Sequence, residues 1–331
     1  MPRQARLDAP GALHHVMDRG VEKTSIFRTD TDREDFLTRL ESLCKKGFLN
    51  VFAWTLLDNH FHLLVQTGKQ SLSESMRKLL TGYVVSFNHR HGRYGHLFQN
   101  RYKSILCEQD PYLLELTRYI HLNPMRAGIV KTMKQLAGYP WTGHGVIMGR
   151  QKRPWQDVNT VLSYFGKRGG EAIGKYERYV SEGAKMGRRP ELVGGGLIRS
   201  RSGWSEVVSL RGKGKREASD ERILGGGEFV ERVLEEAEER IKMTLRWKKR
   251  VMDLKTLLRE VCRREGLEEE EILGRSRRES LVRGRKMICQ VGVRKLGYTG
   301  ATVARFLGMT TSSVNRMARQ EEVGGLDEWD K

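Results

Sequence analysis

The chain has few cysteines: Cys44, Cys107, Cys262 and Cys289 lie far apart among 331 residues and form no C-x-x-C pair. Neither a zinc knuckle nor a disulfide framework is indicated, which leaves reduced, mostly buried thiols. No apolar run is long enough to cross a bilayer, and the opening "MPRQARLDAPG" lacks the apolar core of a signal peptide. A cytoplasmic protein with no membrane partner is therefore expected. A P-loop is missing as well, since "LGGGEF" has glycines but no following Lys-Ser/Thr and reads as loop punctuation. Acidic residues fall short of basic ones, 41 Asp+Glu against 60 Lys+Arg, a formal net charge of +19. That surplus suits a polyanionic partner, with nucleic acid first.

At 331 residues the chain exceeds the usual size of one core, so two or more units are expected. The first part alternates strand and helix patterns. "GALHHVMDRG" reads as a strand ended by Gly20, and "TDTDREDFLTRLESLCKKG" as a helix with Thr or Asp caps. "LNVFAWTLLDN" and "HFHLLVQTG" read as a hairpin turning at Asp58-Asn59. "SLSESMRKLLTGYVVSFNHRHG" supplies a second helix and "GHLFQNRYKSILCEQ" another strand. "DPYLLELTRYIHLNPMRAG" gives a third helix, capped by Asp110 with Pro111 at its first position. The order β-α-β-β-α-β predicts an α+β fold, a ferredoxin-like antiparallel sheet against helices, spanning 1–150.

Beyond about residue 140 the periodicity weakens. "YPWTGHGVIMGRQKRPWQD" is loop-like, with Trp141 and Trp155 pinning it to the first domain. Residues 151–245 read as a connecting segment, with "GGG" twice, the basic run "RGKGKRE" and an acidic helix "GEFVERVLEEAEERIK". Residues 246–325 read as an all-α domain. Its two short helices around "LGMTT" fit a helix-turn-helix with Val303, Leu307, Val314 and Met317 as the apolar seam. No internal repeat stands out.

The stretch "LLDNHFHLLVQ" places His60 and His62 two residues apart on a strand, on one face and about 7 Å apart at their α-carbons. That suits joint ligation of one divalent ion, although a half-exposed pair on a solvated sheet face has the same pattern. Phe61 then faces the opposite side and can pack beneath a helix. On the helix after Pro111, Glu115, Tyr119 and Asn123 share a face, and Tyr112 shares it too. A tyrosine beside a divalent ion can act as a nucleophile on phosphorus, because the metal offsets the developing charge. A core tyrosine with its hydroxyl at the surface has the same spacing.

Three collinear blocks, "LLDNHFHLLVQ", "LTGYVVSFNHRHGRYGHLFQNRYKS" and "DPYLLELTRYIHLNPMRAG", together resemble the single-tyrosine HUH transposases, specifically the REP-associated tyrosine transposases. The resemblance implies that His60 and His62 are metal ligands and that Tyr119, in Y-I-x-x-N-P, is the nucleophile. It implies Asn123 as third ligand; because Asn123 precedes Pro124 it can instead cap the helix, leaving Glu115 or water to complete the site. The implied ion is Mg2+ or Mn2+, and two imidazoles also tolerate zinc. The implied chemistry is cleavage and rejoining of single-stranded DNA, in hairpins or palindromic repeats, through a 5′-phosphotyrosine. No nucleotide triphosphate is needed.

"NHRHGRYGHLFQNRYK" interleaves Arg90, Arg93, Arg101 and Lys103 with Tyr94, Phe98 and Tyr102, cations for phosphates and rings for unpaired bases. At least one of the rings is expected to be core. Arg19, at the end of the first strand, is a further phosphate candidate. The block "SRRESLVRGRKMICQVGVRKLGYTGATVARFLGMTTSSVNRMARQ" resembles the DNA-binding domain of the replication initiator DnaA. That resemblance places Thr310, Thr311, Ser312, Ser313, Asn315 and Arg316 at the major groove of a duplex, with Arg283, Arg285 and Lys286 near phosphates. Gly308-Met309 stand where that family has Asp-His. The expected protein is a metal-dependent tyrosine strand transferase, monomer or homodimer, bound to a single-stranded hairpin by its first domain and to duplex by its last. The competing readings are a non-catalytic DNA-binding regulator on the same fold and an H-x-H metallohydrolase using water.

Overall fold

A computed structural model of the chain describes residues 7–8, 11–166, 169–187, 189, 192, 220, 222–249, 253–274, 276–320 and 323. The first "GGG" and the basic run "RGKGKRE" lie outside the described residues. The chain divides into two compact units, Met1–Val233 and Leu234–Lys331.

The first unit opens β1 (Leu13–Arg19), α1 (Asp30–Lys45), β2 (Leu49–Leu57), β3 (His60–Thr67), α2 (Leu72–Arg90), β4 (Lys103–Cys107) and α3 (Gln109–His121). Local chemistry sets several of these bounds. Thr29 and Asp32 form a capping box at α1, each side chain accepting the other's backbone N–H, and the Ser71 hydroxyl accepts from Glu74 N at α2. At α3 the cap differs from the sequence expectation. Glu108, not Asp110, occupies the capping position, and Asp110 sits within the first turn. The Glu108 carboxylate makes no cap because it accepts the backbone N–H of Gly226 at 2.9 Å. Only the second half of "GHLFQNRYKSILCEQ" is a strand.

Beyond α3 the chain continues in short helices: α4 (Asn123–Arg126), within the block expected to be helical, α5 (Met133–Gly138), α6 (His144–Ile147), within the stretch expected to be loop-like, and α7 (Val158–Ser163) and α8 (Gly169–Ala184), in the segment expected to be a connector. A short β5 (Ile223–Leu224) then joins β4 in parallel, giving the sheet order β2-β3-β1-β4-β5. The first four strands are antiparallel to their neighbours, the α+β, ferredoxin-like order the sequence predicts.

Strand alternation divides the side chains between two cores. On one face Phe61, Leu63 and Val65 meet α1 and α2 through Phe36, Tyr83 and Phe87, with Trp54, Trp141 and Trp155 in the same core. On the other, Leu64 and Ile105 meet Leu113, Leu116 and Ile120 of α3, joined by Val161, Tyr176 and Val180 from α7 and α8. Residues 151–184 thus bury side chains in the first unit.

The second unit is helical. The helix α9 (Gly227–Lys249) spans the boundary, followed by α10 (Leu254–Glu265), α11 (Glu269–Leu273), α12 (Glu279–Gln290) with a π-helical turn at Val291–Lys295, α13 (Gly300–Leu307) and α14 (Thr311–Arg319). Val303, Leu307 and Val314 are buried as the apolar seam and Met317 packs at its edge. Gly308, left-handed at φ 63°, makes the turn between α13 and α14. Arg285 departs from its expected place at phosphate. It is buried, and its guanidinium donates to the carbonyls of Glu271, Ile272, Gly274 and Ser276, closing the chain around the end of α11.

Buried imidazoles give the first unit an acid-sensitive stability. Burial lowers His14 and His144 to about 4 and His121 well below its ordinary 6.5. Each is neutral when folded but takes a proton below pH 6.5 when unfolded. The stability they confer is complete above that pH and is lost as pH falls toward 4, by up to about 3 kcal/mol each for His14 and His144. Calorimetry of the full chain between pH 7.5 and 4.5 should show the unfolding temperature dropping below pH 6.5; a flat profile contradicts this.

Candidate active site

Antiparallel pairing of β1 with β3 sets Met17 opposite His62 and Arg19 opposite His60. Directly paired residues share a face, so His15, Met17 and Arg19 stand beside His60 and His62 on the side covered by α3. Three imidazoles follow in a row. The rings of His60 and His62 are 5.3 Å apart and those of His62 and His15 5.2 Å, with His15 Nε2 3.0 Å from His62 Nδ1. The ring of Tyr119, on α3, lies 6.0 Å from both His15 and His62, edge-on to each. Beside His60 and His62 opens a cleft of about 390 Å³, walled by Arg19, Gln99, Asn100, Arg101 and Lys103.

Burial, assisted by the Arg19 cation, lowers His60 to about 4. Burial also pushes His62 well below its ordinary value, reinforced by His15, His60, Arg19 and Arg126. Both imidazoles are therefore neutral at pH 7, the form that offers a lone pair. The Asn59 side-chain oxygen, 2.7 Å from His60 Nδ1, can only accept, so Nδ1 carries the proton and Nε2 the lone pair. His15 provides His62 with the same opportunity: when His62 Nδ1 donates to it, His62 Nε2 is left basic. A ligating imidazole is commonly held in its tautomer in this way.

The divalent ion that the three sequence blocks imply fits this pair. Among the described residues no group of three or more His, Cys, Asp or Glu is arranged to hold a metal. Such an ion would take His60 and His62 from the protein and complete its shell from an amide oxygen, water or phosphate, as hard, labile cations do. Of the alternatives for a third ligand, Glu115 is taken. Its carboxylate accepts from Arg118 and the Tyr179 hydroxyl at 2.7 Å and from Arg189 at 3.2 Å. Asn123 turns its amide nitrogen onto the carbonyls of Tyr119 and Ile120, at 3.0 and 3.3 Å. It thereby caps α3, with its oxygen as the atom that could meet an ion. Tyr112 is buried in the core with Leu113 and Leu116.

Arg126 was not singled out in the sequence, although it follows Tyr119 by seven residues, two helical turns. Its guanidinium carbon lies 4.7 Å from the centre of the Tyr119 ring, and Nη1 donates to the Tyr119 carbonyl at 2.8 Å. The cation is thus stacked on the face of the phenol ring. His15 was likewise missed: the "HH" pair was visible, but its face depends on the β1–β3 register.

The other candidates separate. Arg19, Arg101 and Lys103 border the cleft. Arg90 is occupied by Asp32 and Asp35 on the opposite, α1–α2 side of the sheet, and Arg93 lies over Phe87 there. Tyr94 is 95 % exposed, whereas Tyr102 is core and Phe98 packs on Phe61. In the second unit the Thr310 hydroxyl caps α14 by accepting from Ser313 N and donates to the Ser313 hydroxyl. Asn315 rests against Gly300, where an added Cβ would come within 2.1 Å of its amide oxygen. Thr311, Ser312 and Arg316 are exposed, as is Arg283, which pairs with Glu265, and Lys286 is half-buried.

No curated protein matches the chain. A solved structure described as a REP-associated tyrosine transposase bound to a REP hairpin matches with 17 % identity and a TM-score of 0.38, over 47 % of this chain and 90 % of that one. Residues 11–123 match the family model described as transposase IS200-like. Over the segment that carries the sheet, the three imidazoles and the phenol, the chain is thus similar to the IS200-like transposases.

Proposed function

We propose that the first unit cleaves and rejoins single-stranded DNA with Tyr119 as nucleophile, acting on hairpin or palindromic repeats. The observation that carries this reading is the phenol ring set 6.0 Å from His62, under a stacked guanidinium and beside a cation-lined cleft. The phenolic oxygen attacks a backbone phosphorus, the bond to the 3′ oxygen breaks, and that oxygen leaves as a hydroxyl. A new ester links tyrosine to the 5′ phosphate, so one phosphoester replaces another and the reverse step rejoins the strand. Arg126 offsets the charge on the phenolic oxygen as its proton leaves, and Asn123 and Arg126 together fix the backbone carbonyl of Tyr119. Arg19, Arg101 and Lys103 hold the flanking phosphates. His60 and His62, with Asn123 through its amide oxygen, are assigned to Mg2+ or Mn2+, which when bound polarises the phosphoryl oxygens.

The second unit is assigned to duplex DNA. The N-terminus of α14 presents Thr311, Ser312 and Arg316 outward, with Thr310 and Asn315 holding the helix pair that carries them. Residues 1–150 would hold the chemistry and 246–325 the tether, in keeping with the net charge of +19.

Three outcomes are expected. Wild-type protein with Mg2+ and labelled hairpin oligonucleotides should form an adduct that survives denaturation, and Tyr119→Phe should bind equally but form none. No adduct from wild type would favour a regulator that keeps the fold without the chemistry. His15→Gln should weaken Mn2+ affinity roughly 10- to 100-fold in calorimetric titration while leaving the unfolding temperature near wild type; unchanged affinity removes the tautomer role. Ending the chain after Lys249 should weaken duplex binding and lower the slope of log affinity against log salt by roughly one for each phosphate no longer neutralised. Unaltered binding refutes the duplex assignment.

A further inference from the structure

The helix that carries Tyr119 is gripped on both sides of that residue by chain lying well beyond it in sequence. Glu115, Arg118 and His121 recur at every third residue of α3 and form one stripe along it. Against that stripe α8 sets Tyr176, Tyr179 and Gly183, running antiparallel, so that His121 meets Tyr176 while Arg118 meets Tyr179 and Gly183. The match to the transposase family ends at residue 123, and none of these partners lies within it.

Each of these contacts is specific. The buried Tyr176 hydroxyl lies 2.7 Å from His121 Nδ1 and 2.9 Å from His144 Nδ1 of α6. One proton serves both nitrogens, so the hydroxyl donates to one imidazole and accepts from the other. Neither Nε2 has a hydrogen-bond partner among the described residues, which leaves this hydroxyl as the one polar anchor of both buried rings. The Tyr179 hydroxyl donates to Glu115 at 2.7 Å, and the centre of its ring lies 4.2 Å from the Arg118 guanidinium carbon. At Gly183 a Cβ would come within 2.4 Å of Arg118 Cδ, so α8 approaches Arg118 more closely than a side chain would allow.

Resting on the reading of Tyr119 as nucleophile, we propose that α8 is the positioning element of the active site, with Tyr176 and Tyr179 fixing the rotation of α3 about its axis and so the place of the phenol before His60 and His62. Both are positioning residues, since they act on the phenol through His121, Glu115 and Arg118. The geometry is demanding. A rotation of α3 by roughly ten degrees carries a side-chain tip by about 1 Å, given the width of a helix with its side chains, and a misplacement of that size can cost about 100-fold in rate. The catalytic unit then runs through α8 instead of ending near residue 150.

The test places 3-fluorotyrosine at position 119 of the full-length protein, where its fluorine resonance reports the Arg126 guanidinium and the His15 and His62 rings around it. Tyr176→Phe, which keeps the ring and removes the hydroxyl, should shift or split that resonance. Leu40→Ala, a cavity in the core on the other face of the sheet, should lower the unfolding temperature and leave the resonance in place. With Mg2+ and saturating hairpin oligonucleotide, the single-turnover rate of adduct formation should fall roughly 10- to 100-fold in Tyr176→Phe while hairpin affinity stays within about twofold of wild type. A resonance unmoved by Tyr176→Phe, or moved as far by Leu40→Ala, overturns the proposal, as does a rate that falls only in step with affinity. Should Tyr176→Phe fail to fold, Tyr179→Phe, at a half-buried position, is read in its place by the same measures. The resonance needs neither DNA nor metal, so it judges the positioning by itself, and an absence of any wild-type adduct counts against the nucleophile reading alone.

Discussion

The site depends on one register, the antiparallel pairing of Leu13–Arg19 with His60–Gln66. With Met17 opposite His62, the pleat brings His15, Arg19, His60 and His62 to a single face and sends Phe61 to the other. A slip of one residue would put the imidazoles among Phe36 and Tyr83 and turn Phe61 toward α3. The phenylalanine between the histidines is what forbids that slip, because burying its ring against α1 ties the placement of the imidazoles to the stability of the core. Gly20 adds a stop at the end of β1. Its N–H donates to the Asn59 carbonyl in the β2–β3 turn, and a Cβ there would come within 2.1 Å of the Thr24 carbonyl oxygen.

Local signals carried much of this. The hairpin at Asp58-Asn59, the caps at Thr29 and Ser71, and the shared face of His60 and His62 all follow from neighbours in sequence. The same-face spacing along "YLLELTRYIHLNP" likewise brought Tyr119 into consideration. What escaped depends on partners distant in sequence. His15 joins the imidazoles through strand pairing, and Glu108 gives up its capping role to a glycine 118 residues away. Glu115 is withdrawn from any ion by Tyr179 and Arg189, on segments whose arrival no periodicity announces. Arg285 makes the same point, since a basic residue in a basic stretch looks like a phosphate contact until four carbonyls claim it.

Positive charge is sorted rather than spread. Arg90, Arg118 and Arg285 are consumed internally by carboxylates or carbonyls, while Arg19, Arg101 and Lys103 gather along the cleft beside His60 and His62. Net charge therefore says that a polyanion is wanted, and the distribution of acidic partners says where. The low proton affinity of His60 and His62 belongs to the same design. Burial and nearby cations keep lone pairs available at neutral pH, where an exposed imidazole pair would be partly protonated.

The fifth strand has a consequence of its own. Ile223 and Leu224 close the β4 edge through Leu106 N donating to the Arg222 carbonyl and Glu108 N to the Leu224 carbonyl, both at 2.8 Å. Because Ile223 and Leu224 are also buried, the strand that leads into α3 has its open edge covered by a segment more than 110 residues further along the chain, so the start of α3 inherits its position from residues no local pattern connects to it.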